Sequence, residues 1–161
     1  MNTQNTKVLI MAAGTGGHVF PALSIAQCLR DQGVITEWLG TRHGMENNLL
    51  ENSGIKIHPV SVKGLKGKGI VRLLLAPFMM LVALVQSMRV IARVKPNCVL
   101  GMGGFVSGPG GLATKLLGKP LLIHEQNAVP GFTNRMLARI SNKVFEAFPR
   151  TFKSSQKVMF T

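Results

Sequence analysis

Between two apolar stretches the chain places Gly14-Thr15-Gly16-Gly17-His18. Glycine reaches positive φ and has no side chain, so backbone N–H groups in such a turn can approach an anion closely. A helix expected from about Pro21 would add the positive end of its dipole. An imidazole ordinarily titrates near neutrality and can take a proton from a hydroxyl. Glycines and histidine together read as a phosphate site with a catalytic or orienting group at its edge. The plainer alternative is a tight strand-to-helix turn.

A second glycine-rich stretch, GMGGFVSGPGG from Gly101 to Gly111, repeats the logic with six glycines and the hydroxyl of Ser107. Two such loops, each between an apolar strand and a helix, favour a diphosphate-binding cleft over turns alone. Neither is a Walker A loop, because no glycine is followed at the right distance by Lys and Ser or Thr. The dinucleotide pattern G-x-G-x-x-G also fails, since Gly14-x-Gly16 leads to Val19. A third cluster, His124-Glu125-Gln126-Asn127, stands at another expected strand end. Glu125 is one of only six acids and could orient an imidazole or act as a base itself. Histidines and acids do not recur at metal-ligand spacing, so neither a metal nor another cofactor is expected.

These residues need a frame. Short apolar runs without alternation predict strands buried on both faces at Val8–Ala12, Ile35–Leu39, Ile55–Val62, Cys98–Met102, Leu121–His124 and Val144–Ala147. Between them, helices are expected from about Pro21 to Gln32, over Met45–Asn52, over Ile70–Val94 with a kink at Pro77, up to about Leu117, and over Phe132–Ile140. Strand and crossover repeating in this way predict an α/β fold, a doubly wound parallel sheet of Rossmann-like type. Ligands of such sheets bind at the carboxyl ends of the strands, where the three unusual clusters fall.

The chain's 161 residues suit one domain, and 46% hydrophobic content argues against disorder. Nineteen Lys and Arg against six Asp and Glu give a formal charge of +13. That surplus favours an anionic partner: nucleic acid, an acidic membrane surface or a phosphorylated substrate. With no Tyr and one Trp, the stacking platforms of single-strand binders are missing, and nucleic acid is not expected. Cys28 and Cys98 lack CxxC spacing and read as two buried reduced thiols, which suits a reducing cytoplasm. The Val8–Ala13 run is too short for a signal-peptide core followed by a cleavage site.

Leu73–Val85 is thirteen residues without a polar side chain, too short to cross a bilayer, which needs about 20. Lys63, Lys66, Lys68 and Arg72 precede it; Arg89, Arg93 and Lys95 follow. A helix packed on a sheet needs one apolar stripe, yet this one is apolar all round. Leu74, Phe78, Met79 and Val82, ringed by Lys68, Arg72 and Arg89, therefore suit docking on an anionic membrane surface. Burial against another domain or subunit is the alternative.

GTGGHVFPAL, GLKGKG, GMGGFVSGPGG, HEQNAVPGFTN and VFEAFP fall in the order and spacing of one family. Over nearly its whole length the chain resembles the MurG glycosyltransferases of peptidoglycan synthesis. The resemblance implies a GT-B architecture of two doubly wound domains facing a cleft. It implies inverting transfer of N-acetylglucosamine from UDP-N-acetylglucosamine to a lipid-linked muramoyl-pentapeptide, on the cytoplasmic face of the bacterial inner membrane. Residues 1–161 would then be the N-terminal acceptor-binding and membrane-associating domain, inactive alone, with the C-terminal UDP-sugar domain absent. Carried over by position, Thr15, Gly16, Gly17 and Asn127 would touch the donor. Gly14, Gly103, Gly104 and Ser107 would hold the acceptor diphosphate. His18 is the implied base, with His124 and Glu125 nearby as the other candidates. Ala13 stands where glycine is common and Phe105 where tyrosine is common, so Phe105 has no polar role. The alternatives are another GT-B UDP-sugar transferase with a soluble acceptor, or a non-catalytic, membrane-docked anion-binding module.

Overall fold

In a computed structural model the described residues are 6–62 and 70–161, with the backbone alone at 70–75. Strands β1 (Lys7–Met11), β2 (Ile35–Thr41), β3 (Lys56–Val60), β4 (Cys98–Gly101), β5 (Leu121–Glu125), β6 (Lys143–Glu146) and β7 (Val158–Phe160) form one sheet. Its order is β3-β2-β1-β4-β5-β6-β7 and every pairing is parallel. Helices α1 (Gly16–Asp31), α2 (Met45–Leu50), α3 (Ile70–Val94), α4 (Ser107–Leu116) and α5 (Phe132–Ile140) supply the crossovers. The order reverses between β1 and β4, which opens a crevice at their carboxyl ends.

The unalternating β1 run is explained by its two buried faces. Val8 and Ile10 join Val19, Ala22, Ala26 and Trp38 in one apolar layer. Leu9 and Met11 join Leu39, Ala83, Ile91, Ala113 and Leu137 in the other. Helix α4 lies close enough to β1 that a Cβ on Gly110 would overlap the Met11 sulfur, and one on Gly111 would come 2.6 Å from Leu137 Cδ2.

Four expectations are corrected. Helix α1 begins at Gly16, not near Pro21, so Gly16, Gly17 and His18 form its first turn. A seventh strand, β7, extends the sheet beyond Val144–Ala147; three residues are too few for a periodic signal. Cys28 is exposed rather than buried; Cys98 is half-buried, and burial pushes its thiol up. The apolar segment lies, as expected, in the helix over Ile70–Val94, but the count of thirteen residues is too short a measure: Ala76–Val94 is long and apolar enough to cross a membrane by length and composition. That helix nevertheless has an inward stripe, with Ala76, Ala83, Ser87, Ile91 and Val94 buried.

Candidate functional site

The loop between β1 and α1 is pinned from both sides. The indole N–H of buried Trp38 donates to the Ala12 carbonyl at 2.9 Å. Across the switch point, the Met102 N–H donates to Met11 O at 2.9 Å, and Ser107 Oγ lies 3.0 Å from the same oxygen. The backbone then turns through Gly14 at φ +102° and enters α1 with Thr15 as its N-cap residue.

The β4–α4 loop fits against this turn. Gly103 and Gly104 have φ of +102° and +77°, the left-handed region that favours glycine. A Cβ on Gly104 would overlap the Ala13 carbonyl oxygen, and one on Gly103 would stand 2.8 Å from the His18 ring. Phe105 packs its ring against Gly14. The family resemblance's tyrosine position therefore carries an apolar contact here.

A cavity of about 540 Å³ results, lined by Gly14, Thr15 and His18 of the first loop and helix, Gly103 and Gly104 of the second, Glu125 at the end of β5, and residues 131–134 at the start of α5. The N-termini of α1 and α5 thus border one space; the dipole of α1 favours an anion there, whereas the start of α5 already holds the Glu125 carboxylate, which accepts the Gly131 N–H. A larger apolar cavity of about 760 Å³ adjoins it, sharing Gly14, Val62 and Phe105, and runs between Arg42–Met45 and Phe78, Met79 and Val82 of α3.

The predicted site residues separate into groups. Gly14, Thr15, His18, Gly103, Gly104 and Glu125 come together on the smaller cavity, with Gly16 and Gly17 in the adjacent helical turn. Ser107 does not face it. The residue is fully buried, and its hydroxyl lies 2.7 Å from Gly103 O and 3.0 Å from Met11 O, so it ties the two loops together. Gly110 and Gly111 likewise serve helix packing rather than an anion.

Glu125 lines the cavity, but its carboxylate is already engaged. It is 1% exposed and accepts four hydrogen bonds. Oε1 receives the N–H and side-chain amide of Asn127 at 3.1 and 2.8 Å. Oε2 receives the Gly131 N–H at 3.1 Å and the Asn134 amide at 2.9 Å. The carboxylate therefore shapes the loop that carries Asn127 and starts α5. Glu125→Gln would turn one acceptor oxygen into a donor facing other donors. The expected loss is about 2 kcal/mol, read as a Tm lower by roughly 4–8 °C for a domain of this size. An unchanged Tm would show that the carboxylate does not carry the loop.

His124 stands behind the cavity. Burial lowers the pKa of its imidazole, opposed by the Glu125 carboxylate. Its ring reaches His18 through Gln126, whose side chain contacts Nδ1 of both histidines at 3.2 Å. Sequence reasoning passed over Gln126 because a neutral amide does not titrate. Gln126 lies one residue beyond β5, so strand alternation offers no signal for it. Asn134 was also missed; it is buried, lines the cavity, and its Oδ1 has no partner among the described residues.

On α3, Phe78 is 66% and Leu81 56% exposed, and Met80, Val85 and Arg89 are also exposed; Met79 and Val82 are half-buried against the larger cavity. Lys68 and the side chains of Arg72 and Leu74 lie outside the described residues. Among the described residues no cluster of three His, Cys, Asp or Glu is placed to hold a metal ion.

Residues 8–146 match the glycosyltransferase family 28 N-terminal domain. The chain is 55% identical over 150 residues to a UDP-N-acetylglucosamine--N-acetylmuramyl-(pentapeptide) pyrophosphoryl-undecaprenol N-acetylglucosamine transferase of Ectopseudomonas mendocina, covering 93% of this chain and 42% of that protein. A protein of the same name from Acinetobacter baumannii is 53% identical over 154 residues, with 96% and 42% covered. The chain thus spans less than half the length of these relatives. The crystal structure of A. baumannii MurG superposes with a TM-score of 0.87 at 51% identity, over 97% of this chain and 45% of that one. The UDP-N-acetylglucosamine 2-epimerase of Neisseria meningitidis shares the fold at 14% identity, with a TM-score of 0.70 over 98% and 46%.

Proposed function

We propose that this chain, which belongs to the glycosyltransferase family 28 N-terminal domains, is the acceptor-side half of an inverting N-acetylglucosaminyltransferase. The donor is UDP-N-acetylglucosamine and the acceptor is the lipid-linked muramoyl-pentapeptide diphosphate, as the names of its relatives suggest. The observation that carries the reading is the meeting of two positive-φ glycine turns around His18 at the β1/β4 crevice. Gly14, Gly103 and Gly104 offer backbone to the acceptor diphosphate without bulky side chains in the way. Thr15, Gly16, Gly17 and Asn127 form this side of the donor contact.

The reaction needs a nucleophilic hydroxyl, a base and a stabilised leaving group. The acceptor hydroxyl oxygen attacks the anomeric carbon while its proton passes to His18. The bond from that carbon to the UDP oxygen breaks on the opposite face, and UDP leaves with the electron pair. A second domain, outside these residues, holds the leaving UDP in a GT-B arrangement. In this reading Glu125 supports the loop, His124 stands behind the imidazole, and His18 is the base. The direct test is sugar transfer to the lipid-linked acceptor. The full-length protein is expected to turn over and the purified 161-residue chain is not. Transfer by the chain alone, or none by the full-length protein, contradicts the reading.

The exposed stripe Phe78–Leu81–Val85 with Arg89 one turn further along suits docking to the anionic cytoplasmic face of the inner membrane. The +13 charge adds attraction. A soluble acceptor would give no reason for such a stripe. Co-sedimentation is expected with anionic vesicles, weaker with neutral ones and weaker in high salt. Equal, salt-insensitive binding to both vesicle types contradicts membrane docking.

A further inference from the structure

The side-chain amide of Gln126 has one orientation that satisfies its surroundings. One end lies 3.0 Å from the carbonyl oxygen of His124. A carbonyl only accepts, so that end must be the NH2 group; an amide oxygen there would face a second acceptor. With Nε2 fixed on that side, it also donates to Nδ1 of His124 at 3.2 Å. Oε1 then stands 3.2 Å from Nδ1 of His18. An amide oxygen has no proton to give, so Nδ1 of His18 must carry one. Nδ1 of His124 receives a proton bond and carries none. In a neutral imidazole the other nitrogen takes the opposite state. Nε2 of His18 therefore holds the lone pair, and Nε2–H of His124 points to Thr161 Oγ1 at 3.4 Å.

We infer that Gln126 is a positioning residue that locks His18 in the Nδ1–H tautomer, making Nε2 the proton-accepting atom, and holds His124 in the opposite tautomer. The ring is also held by shape, since it lies over Gly103 where any Cβ would stand 2.8 Å from Cε1 and Nδ1. Among the described residues Gln126 is the hydrogen-bond partner of the His18 ring. Glu125 is the carboxylate that acts on His124, and its four bonds hold it in the loop beneath. A base needs its lone pair aimed at the substrate and its proton behind, and the amide achieves this without adding charge to a diphosphate site. The tautomer assignment stands apart from the reaction; its catalytic consequence rests on the proposed role of His18.

Long-range proton–nitrogen NMR of the 161-residue chain with 15N-labelled histidine, above the pH at which the rings titrate, reads the tautomers directly. His18→Gln and His124→Gln identify the two rings among the four histidines. The expected spectrum has His18 protonated at Nδ1 and His124 at Nε2. A wild-type His18 protonated at Nε2 overturns the inference, whatever the variants do. In the full-length enzyme, Gln126→Met should lower kcat by about 10- to 100-fold with little change in donor KM. Gln126→Glu should move the acid limb of the kcat profile to higher pH, because a carboxylate favours the imidazolium. An unmoved limb and an unchanged kcat in both variants count against the positioning role. Should the tautomers hold while His18→Ala keeps full kcat, the tautomer assignment stands and the role of His18 as base falls.

Discussion

Full-length enzyme carrying His18→Ala is expected to lose roughly 10²- to 10⁴-fold in kcat while its dissociation constant for UDP-N-acetylglucosamine barely changes. That loss corresponds to about 3–5 kcal/mol of transition-state stabilisation. The split follows from where His18 sits. It lies in the first turn of α1 on the smaller cavity, between the two glycine turns. Its side chain is not part of the backbone surface offered to phosphates. With His18 as the proposed base, removing it takes away proton transfer and leaves the two glycine turns intact. Steady-state kinetics paired with calorimetric donor binding reads both quantities. An unchanged kcat removes His18 as the base; a lost kcat with equally lost donor binding assigns it to binding instead.

Gly104→Ala should be among the most damaging single-methyl changes at the described residues. At φ +77° any L side chain is strained, by about 1–2 kcal/mol. The added Cβ would also overlap the Ala13 carbonyl oxygen and sit 3.2 Å from its carbon. Ala13 cannot yield easily, because Ala12 is held by Trp38, and Met11 by Met102 and Ser107. Strain and overlap together should cost about 3 kcal/mol or more, a Tm lower by roughly 6–12 °C. Gly118→Ala is the matched control. Its φ is +65°, yet a Cβ there meets nothing within 4 Å. It should lose only the backbone term, about 1 kcal/mol. Equal Tm losses in the two variants would show that the contact between the loops contributes nothing.

The sheet was legible because its central strands are buried on both faces and read as unbroken apolar runs, as Val8 to Met11 do. The convergence of the glycine loops followed from the parallel order, which puts both at one end of the sheet. The start of α1 was misjudged because glycine is a poor helix former and Pro21 looked like a first-turn residue. In fact the glycines are the first turn, where N–H groups have no intrahelical partner anyway. Side-chain direction was the other blind spot. Ser107 and Glu125 have the chemistry of ligand-binding groups, but both spend it on the protein's own backbone and amides. Composition cannot distinguish a polar atom facing a cleft from one facing a carbonyl on the neighbouring strand. Gln126 shows the reverse error: an uncharged residue whose importance comes from what stands on either side of it.

In the proposed reading the two glycine turns form the acceptor diphosphate site. Backbone amide NMR of the 15N-labelled chain, titrated with a soluble short-chain analogue of the muramoyl diphosphate acceptor, reads those turns residue by residue. The expected result is a joint shift of the Gly14, Gly103 and Gly104 amides, saturating with one affinity and reduced in Gly104→Ala. Resonances of those three glycines that stay still while binding occurs elsewhere would contradict it.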